Sequence, residues 1–263
     1  MDLNTLLEEV KLLAVEAGGF LRHERTSFHR EKVEQKAAHD YVSYVDKESE
    51  RRIVSRLKEL LPEAGFVAEE GSAAFAGEEY CWLVDPLDGT TNFIHDHAPY
   101  CVSIALRRGR EMQLGVVYEC CRDELYWATK DTPAFLNGRE IHASDVSEFG
   151  QAFIELGFPY DAERYRPFVN GLIADLYGRV GGLRLLGSAA AELCYIAAGR
   201  FEARIEGLIG PWDVAAGSLI LQRAGGMLSD FSGGDTFYSG REVLASNGKL
   251  HAELLKLIQS QKI

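Results

Sequence analysis

Positive charge is scarce in this chain. Its 263 residues carry 28 Lys and Arg against 40 Asp and Glu, a formal net charge of −12. A nucleic-acid footprint needs a basic face, so no nucleic-acid partner is required. An anionic substrate is still compatible, because bound divalent cations reverse the local sign. Cys-x-x-Cys pairs are absent. The five cysteines, Cys81, Cys101, Cys120, Cys121 and Cys194, are odd in number and lie mostly in apolar runs. Buried, reduced thiols in a cytoplasmic protein are the expectation. Long uninterrupted apolar runs are also missing. The N-terminal stretch spaces Leu3, Leu6, Leu7, Val10, Leu13, Ala14 and Ala17 as a helix does, but Glu8, Glu9, Lys11 and Glu16 interrupt it. That pattern predicts a docked amphipathic helix, with neither a signal-peptide core nor a membrane span. No low-complexity linker and no internal repeat divides the chain.

What is present alternates between two periods. A helix is expected over about 46–61, closed by Pro62. Strands follow at 65–68, 80–84 and 102–106, then 113–118 and 124–128 joined as a hairpin across the polar ECCRD. Further on come a strand at 152–156, a helix near 162–177, a helix at 188–198 and a strand at 201–205. A helix at 212–224, strands near 227–230 and 243–245, and a C-terminal helix complete the pattern. Helices at both ends with strands between them predict an α/β (α+β) fold of stacked layers. The expected organisation is a single domain over 1–263 in two halves, roughly 1–150 and 151–263, with no flexible join.

One stretch carries chemistry. In WLVDPLDGTTNF (82–93) an apolar strand ends in Asp85-Pro86, and Leu87-Asp88-Gly89-Thr90 forms a tight turn where glycine permits unusual dihedrals. Packed like charges cost energy unless a cation neutralises them, so Asp85 and Asp88 point to a metal. Glu69 and Glu70 end the preceding strand; neighbouring strands lie about 5 Å apart, so all four carboxylates can converge. Read singly, Glu69-Glu70 is a solvated strand end. Asp213, two residues after Pro211, is read singly as a first-turn acid answering the helix dipole. Two rival motifs fit less well. An aspartyl-phosphate mechanism of the haloacid-dehalogenase kind needs its aspartates two residues apart, whereas these are three apart. His95 and His97 lack companions at zinc spacing.

DPLDGTTNF, with the upstream EE and the downstream WDVAAG, resembles the inositol monophosphatase family of magnesium-dependent phosphatases. The likeness runs from about 36 to 246 and includes GFPYD (157–161) and LGSAAAEL (186–193). The resemblance implies a layered αβαβα sandwich, a homodimer, and two or three Mg2+ ions per subunit. It implies Glu69, Asp85 and the Leu87 carbonyl as ligands of a first ion, and Asp85, Asp88 and Asp213 as ligands of a second. A third, weaker ion would lean on Glu69 through water, and Glu70 matches the family's second glutamate. Asp46 and Thr90 match the pair that orients the attacking water, and Lys36 a lysine on a mobile loop. Asp88, Gly89, Thr90 and Asp213 would meet the substrate together with Gly187, Ser188, Ala189 and Glu206, the last through its hydroxyls.

Magnesium prefers hard oxygen ligands, which explains the residue types. Paired ions activate a water and stabilise the leaving oxygen, so no protein nucleophile is needed. The implied activity is hydrolysis of a phosphomonoester, with inositol 1-phosphate or a related polyol or sugar phosphate as substrate and lithium as an inhibitor. Fructose-1,6-bisphosphatase, histidinol-phosphate or nucleotide phosphatase activity are the alternatives on the same fold. A non-catalytic regulatory binding protein is the alternative of another class. DGTTNF lacks the lysine that usually follows the first threonine in the adenosine-phosphate branch. Two departures bear on substrate choice: the short segment GSAAFAGEEY (71–80), and Arg204, read as a surface salt-bridge residue.

Overall fold

The computed structural model describes residues 2–28, 33–37, 40–238 and 241–261, with 33–37 and 40–42 as backbone only. Lys36 therefore has its side chain outside the described residues. Helix α1 (Leu3–Thr26) is followed by a hairpin of β1 (Val33–Ala37) and β2 (Asp40–Ser43), which leads straight into α2 (Tyr44–Leu60). Next come β3 (Gly65–Ala68), β4 (Tyr80–Asp88) and the short α3 (Thr90–Ile94). Five more strands, β5 (Cys101–Arg108), β6 (Glu111–Glu119), β7 (Glu124–Thr129), β8 (Ala134–Leu136) and β9 (Arg139–Ile141), complete a seven-stranded sheet in sequence order. Only β3 and β4 run parallel in it.

The rest of the chain alternates more strictly. It contains β10 (Phe153–Leu156), α4 (Ala162–Leu176), β11 (Gly182–Arg184), α5 (Ala189–Ala197) and β12 (Ala203–Gly207). After these come α6 (Pro211–Arg223), β13 (Met227–Ser229), β14 (Glu242–Ser246) and α7 (His251–Gln259). Its five strands form a second sheet in the order β11-β10-β12-β14-β13.

Side-chain alternation along the strands stacks these pieces. Trp82 and Val84 point from β4 to the face covered by α1 and α2, where Leu13, Leu21, Ile53 and Leu57 are buried. Leu83, on the opposite face, joins Ala190, Leu193 and Ile220 of α5 and α6. Those two helices also meet the inner face of the second sheet at Val243 and Ala245. Ile154, Ala203 and Ile205 point away from them, onto Phe168, Leu172 and Leu254 of α4 and α7. The result is a helix–sheet–helix–sheet–helix sandwich, the layered α/β fold expected. Among the described residues no helix is long and apolar enough to cross a membrane.

Three local expectations need correction. Strand β4 does not stop at Val84: it continues through Pro86 to Asp88, and its register against β5 shifts between Asp85 and Asp88. One extra residue forms a bulge there, and a bulge is where a sheet tolerates proline. Helix α2 begins at Tyr44, because Ser43 caps it and Asp46 completes a capping box. Cys121 is exposed, while the other four cysteines are buried.

Candidate active site

Parallel pairing of β3 and β4 sets the site. Ala68 lies opposite Val84, so Glu69, just past the end of β3, and Asp85, still within β4, stand side by side; Glu69 N–H donates to Val84 O at 3.2 Å. The bulge then carries the chain around Pro86 to Asp88. From the middle helix layer, α6 brings Asp213 to the same place, in its first turn after Gly210 and Pro211. Its carboxylate accepts from Gly210 N–H at 2.6 Å, a local capping contact.

Carboxylate oxygens of Asp85, Asp88 and Asp213 lie within 4.8 Å of one another. Asp85 and Asp88 are buried. Burial lifts the Asp85 carboxyl well above its ordinary range, and the neighbouring charges of Glu69, Asp88 and Asp213 add to that. Asp213 is raised likewise, by burial first and then by Asp88 and Glu69. Three hard-oxygen donors, desolvated and repelling one another, fit a divalent cation of the magnesium type.

Asp88, expected in a tight turn, has its side chain held inside. Its carboxylate accepts from Ser188 Oγ (2.7 Å), Ala190 N–H (2.7 Å), Ala189 N–H (3.1 Å) and Cys101 Sγ (3.4 Å). It therefore caps α5, whose unpaired N–H groups favour an anion. Burial pushes its pKa up, while these donors and Arg204 oppose the shift.

Gly89 adopts φ +89° at the start of α3. A Cβ there would lie 2.8 Å from the Pro99 carbonyl, so glycine is required on both counts. Next to it, the Thr90 hydroxyl lies 2.9 Å from Asp46 Oδ1 and 3.0 Å from the Leu87 carbonyl, two acceptors for its single proton. Asp46 is fully buried. Its other oxygen accepts from Ser43 N–H (2.8 Å) and Ser43 Oγ (2.6 Å). Burial raises the Asp46 pKa, and the Ser43 and Thr90 hydrogen bonds hold it back.

These groups surround a cavity of about 680 Å³. Glu69, Asp85, Leu87, Asp88, Gly89, Thr90 and Asp213 line it, together with Gly187, Ala189, Arg204 and Glu206. Three anticipated residues sit differently. Asp46 is reached only through Thr90. Ser188 is wholly buried and turns its hydroxyl to Asp88. Glu70 stands outside the cavity lining; its backbone N–H donates to Glu50 Oε2 at 2.7 Å.

Arg204 corrects the reading more sharply. Along β12, Ala203 and Ile205 face the outer core, which turns Arg204 and Glu206 inward. Arg204 is 2% exposed and forms ion pairs with Glu192 and Glu206.

Sequence reasoning missed Glu50, Asn92 and Glu192. Glu50 is buried four residues after Asp46, one helical turn on, and its second oxygen accepts from Ser72 N–H at 2.8 Å. Asn92 Nδ2 bridges the carbonyls of Pro99 and Leu186, at 2.7 Å each. A charged residue inside the apolar run AAAELCYIAA was the available signal for Glu192.

Comparison with known proteins places these features in context. A model of the inositol monophosphatase family matches residues 2–262. A protein of Neisseria meningitidis serogroup B named putative Nus factor SuhB is 39% identical over 230 residues, covering 87% of this chain and 88% of that one. The fructose-1,6-bisphosphatase/inositol-1-monophosphatase of Aquifex aeolicus is 36% identical, covering 97% of this chain and 96% of that one. Among solved structures, the Thermotoga maritima IMPase superposes with a TM-score of 0.89 at 32% identity, over 97% of each chain.

Proposed function

The chain belongs to the inositol monophosphatase family, a family of phosphatases, and from that premise we propose that it is a magnesium-dependent phosphomonoester hydrolase. Its substrate is inositol 1-phosphate or a related polyol or sugar phosphate. The observation that carries this reading is the convergence of Asp85, Asp88 and Asp213 on the cavity wall that also holds Thr90 and its buried partner Asp46.

Glu69, Asp85, Asp88, Asp213 and the Leu87 carbonyl would hold two or three magnesium ions, which when bound supply an activated water and charge neutralisation at the leaving oxygen. The protein's own groups do the placing. With its proton on Asp46, the Thr90 hydroxyl offers its lone pairs to a water and fixes the direction of approach. Gly89 and Thr90 begin a helix that no side chain caps, and their N–H groups suit phosphate oxygens. The Glu206 carboxylate, which also lines the cavity, accepts a hydrogen bond from a hydroxyl of the organic part. In-line attack by water would then need no covalent enzyme intermediate.

The test is phosphate release by the purified chain across a panel of phosphomonoesters, with magnesium and with chelator, ranked by kcat/KM. Release that needs magnesium and is highest on polyol phosphates supports the reading. Relatives named Nus factors supply the second reading, a regulatory binding protein. Absence of release from every ester, in protein that demonstrably binds magnesium, favours that one.

A further inference from the structure

A buried charge cluster is centred on Arg204, which lines the cavity beside Glu206, and the chemistry above uses only Glu206 of it. Arg204 faces three carboxylates. Glu206, two residues along β12, and Glu192, from α5, form ion pairs with it, and Glu155 stands opposite it in the register of β10 and β12. Glu155 and Glu192 are wholly buried, and neither Glu155 oxygen has a hydrogen-bond partner among the described residues. Burial drives the Glu155 carboxyl well up, against the pull of Arg204. A buried ion network is a poor source of stability, since apolar residues of the same volume pack as well or better. Its position suggests a different use.

Glu192 has a second task. Its Oε1 accepts from Leu186 N–H at 3.0 Å and Gly187 N–H at 2.8 Å, and that backbone lines the cavity. Glu206, the other partner of Arg204, lines it too. Arg204, itself part of the lining, thus joins two other segments of it. Gly157 belongs to the same arrangement: a Cβ there would lie 2.1 Å from Glu206 Cδ, so any larger residue would displace the carboxylate.

We propose that Arg204 is a positioning residue that sets substrate choice: its guanidinium fixes the Glu206 carboxylate and, through Glu192, the Leu186–Gly187 backbone. The cavity then presents a rigid acceptor to a hydroxyl close to the phosphoester, which selects polyol and sugar phosphates over esters without such a hydroxyl. A guanidinium suits this work because its planar fork grips two carboxylates at once, which an ammonium does not. The inference rests on the phosphatase reading and deepens it.

The experiment compares inositol 1-phosphate with p-nitrophenyl phosphate, which has no hydroxyl to read, on the magnesium-loaded full chain. Arg204→Met should lower kcat/KM for inositol 1-phosphate about 10–100-fold, the worth of a hydrogen bond to a charged group, mostly through KM. The loss on p-nitrophenyl phosphate should be far smaller. Arg204→Lys should recover part of the loss, and Arg204→Met should add little when Glu206→Gln is already present. Equal losses on both esters, no loss on either, or multiplicative effects in the double variant would each overturn the proposal. Should Arg204→Met fail to fold, Arg204→Lys carries the same comparison, with a smaller selective loss expected and an equal loss on both esters as the contrary result. A wild-type protein that hydrolyses neither ester sinks the phosphatase reading and this inference with it. Active wild type with unselective variants sinks this inference alone.

Discussion

Replacing Asp46 by asparagine isolates the water-orienting pair without removing its volume. One carboxylate oxygen accepts from Ser43 N–H and Ser43 Oγ, both donors, so the amide oxygen of the substitute must face Ser43. Its NH2 group is thereby forced onto the Thr90 hydroxyl, 2.9 Å from Asp46 Oδ1 in the wild type. That hydroxyl must then accept from the amide and send its proton to the Leu87 carbonyl, 3.0 Å away. A lone pair meant for the attacking water is consumed. General-base assistance is typically worth about 10²–10⁴-fold, or about 2.7–5.5 kcal/mol of barrier. Stability should fall far less, by about 1–2 kcal/mol for weakening a charge-assisted hydrogen bond, because the helix cap survives. Initial rates under saturating magnesium, beside melting curves with and without magnesium, separate the two. Rates should drop by at least about 100-fold while the magnesium-induced rise in Tm persists. Thr90→Ala in the same background should add little, since the pair acts as a unit. Asp46→Asn at near wild-type rate would refute this reasoning and leave Asp46 as a helix cap alone.

Three further outcomes follow from the acid cluster. Asp85→Asn should raise the Tm of metal-free protein, on the order of 2–4 °C per kcal/mol of repulsion relieved, and abolish the gain from magnesium. A magnesium gain equal to wild type would remove Asp85 from the ligand set. Asp88→Asn should lower the metal-free Tm instead, because an amide places a donor against the donors of Ser188, Ala189 and Ala190; a higher Tm in melting scans would contradict that network. The third outcome concerns pH. Asp85 and Asp213 have raised folded-state pKa values, so the folded chain binds their protons more tightly than the unfolded chain does. Metal-free stability should therefore fall as pH climbs from about 4, the unfolded value, through the raised folded values. The Tm gain from magnesium should grow over the same window as the ion replaces protons; a gain independent of pH in paired melting scans would count against a carboxylate site.

Much of the sandwich is written in local periodicity. The apolar stripes of α1 and α2 are long enough to name both the element and the buried face, and the continuous apolar runs of β4 and β5 name strands buried on both faces. Some short pieces were not legible. Strands β8, β9 and β11 have three residues each, too few to show a period, and the β1–β2 hairpin is held by pairing rather than pattern. Pro86 misled because a proline ends most strands, whereas a bulge here absorbs it. At the site, residue types and spacing announced the aspartates, but not how deep they lie. Asp88 reads as a turn residue until α5, a hundred positions later, is seen to place its N-terminus on it. Arg204 reads as a surface charge for a similar reason. Its burial depends on Glu192 and Glu155, which tertiary structure alone brings to it.

The central claim is that these acids hold a divalent cation that makes the site hydrolyse a phosphomonoester, and one measurement addresses it most directly. Phosphate release from inositol 1-phosphate is followed while magnesium is titrated into wild type and into Asp213→Asn, with binding of the metal measured on the same samples by calorimetry. The account predicts that wild-type release rises from nothing as the metal sites fill. In Asp213→Asn, binding should weaken and release should be lost while the fold remains intact. Wild-type release that is independent of magnesium, or an Asp213→Asn variant that binds metal and turns over as wild type does, would contradict it.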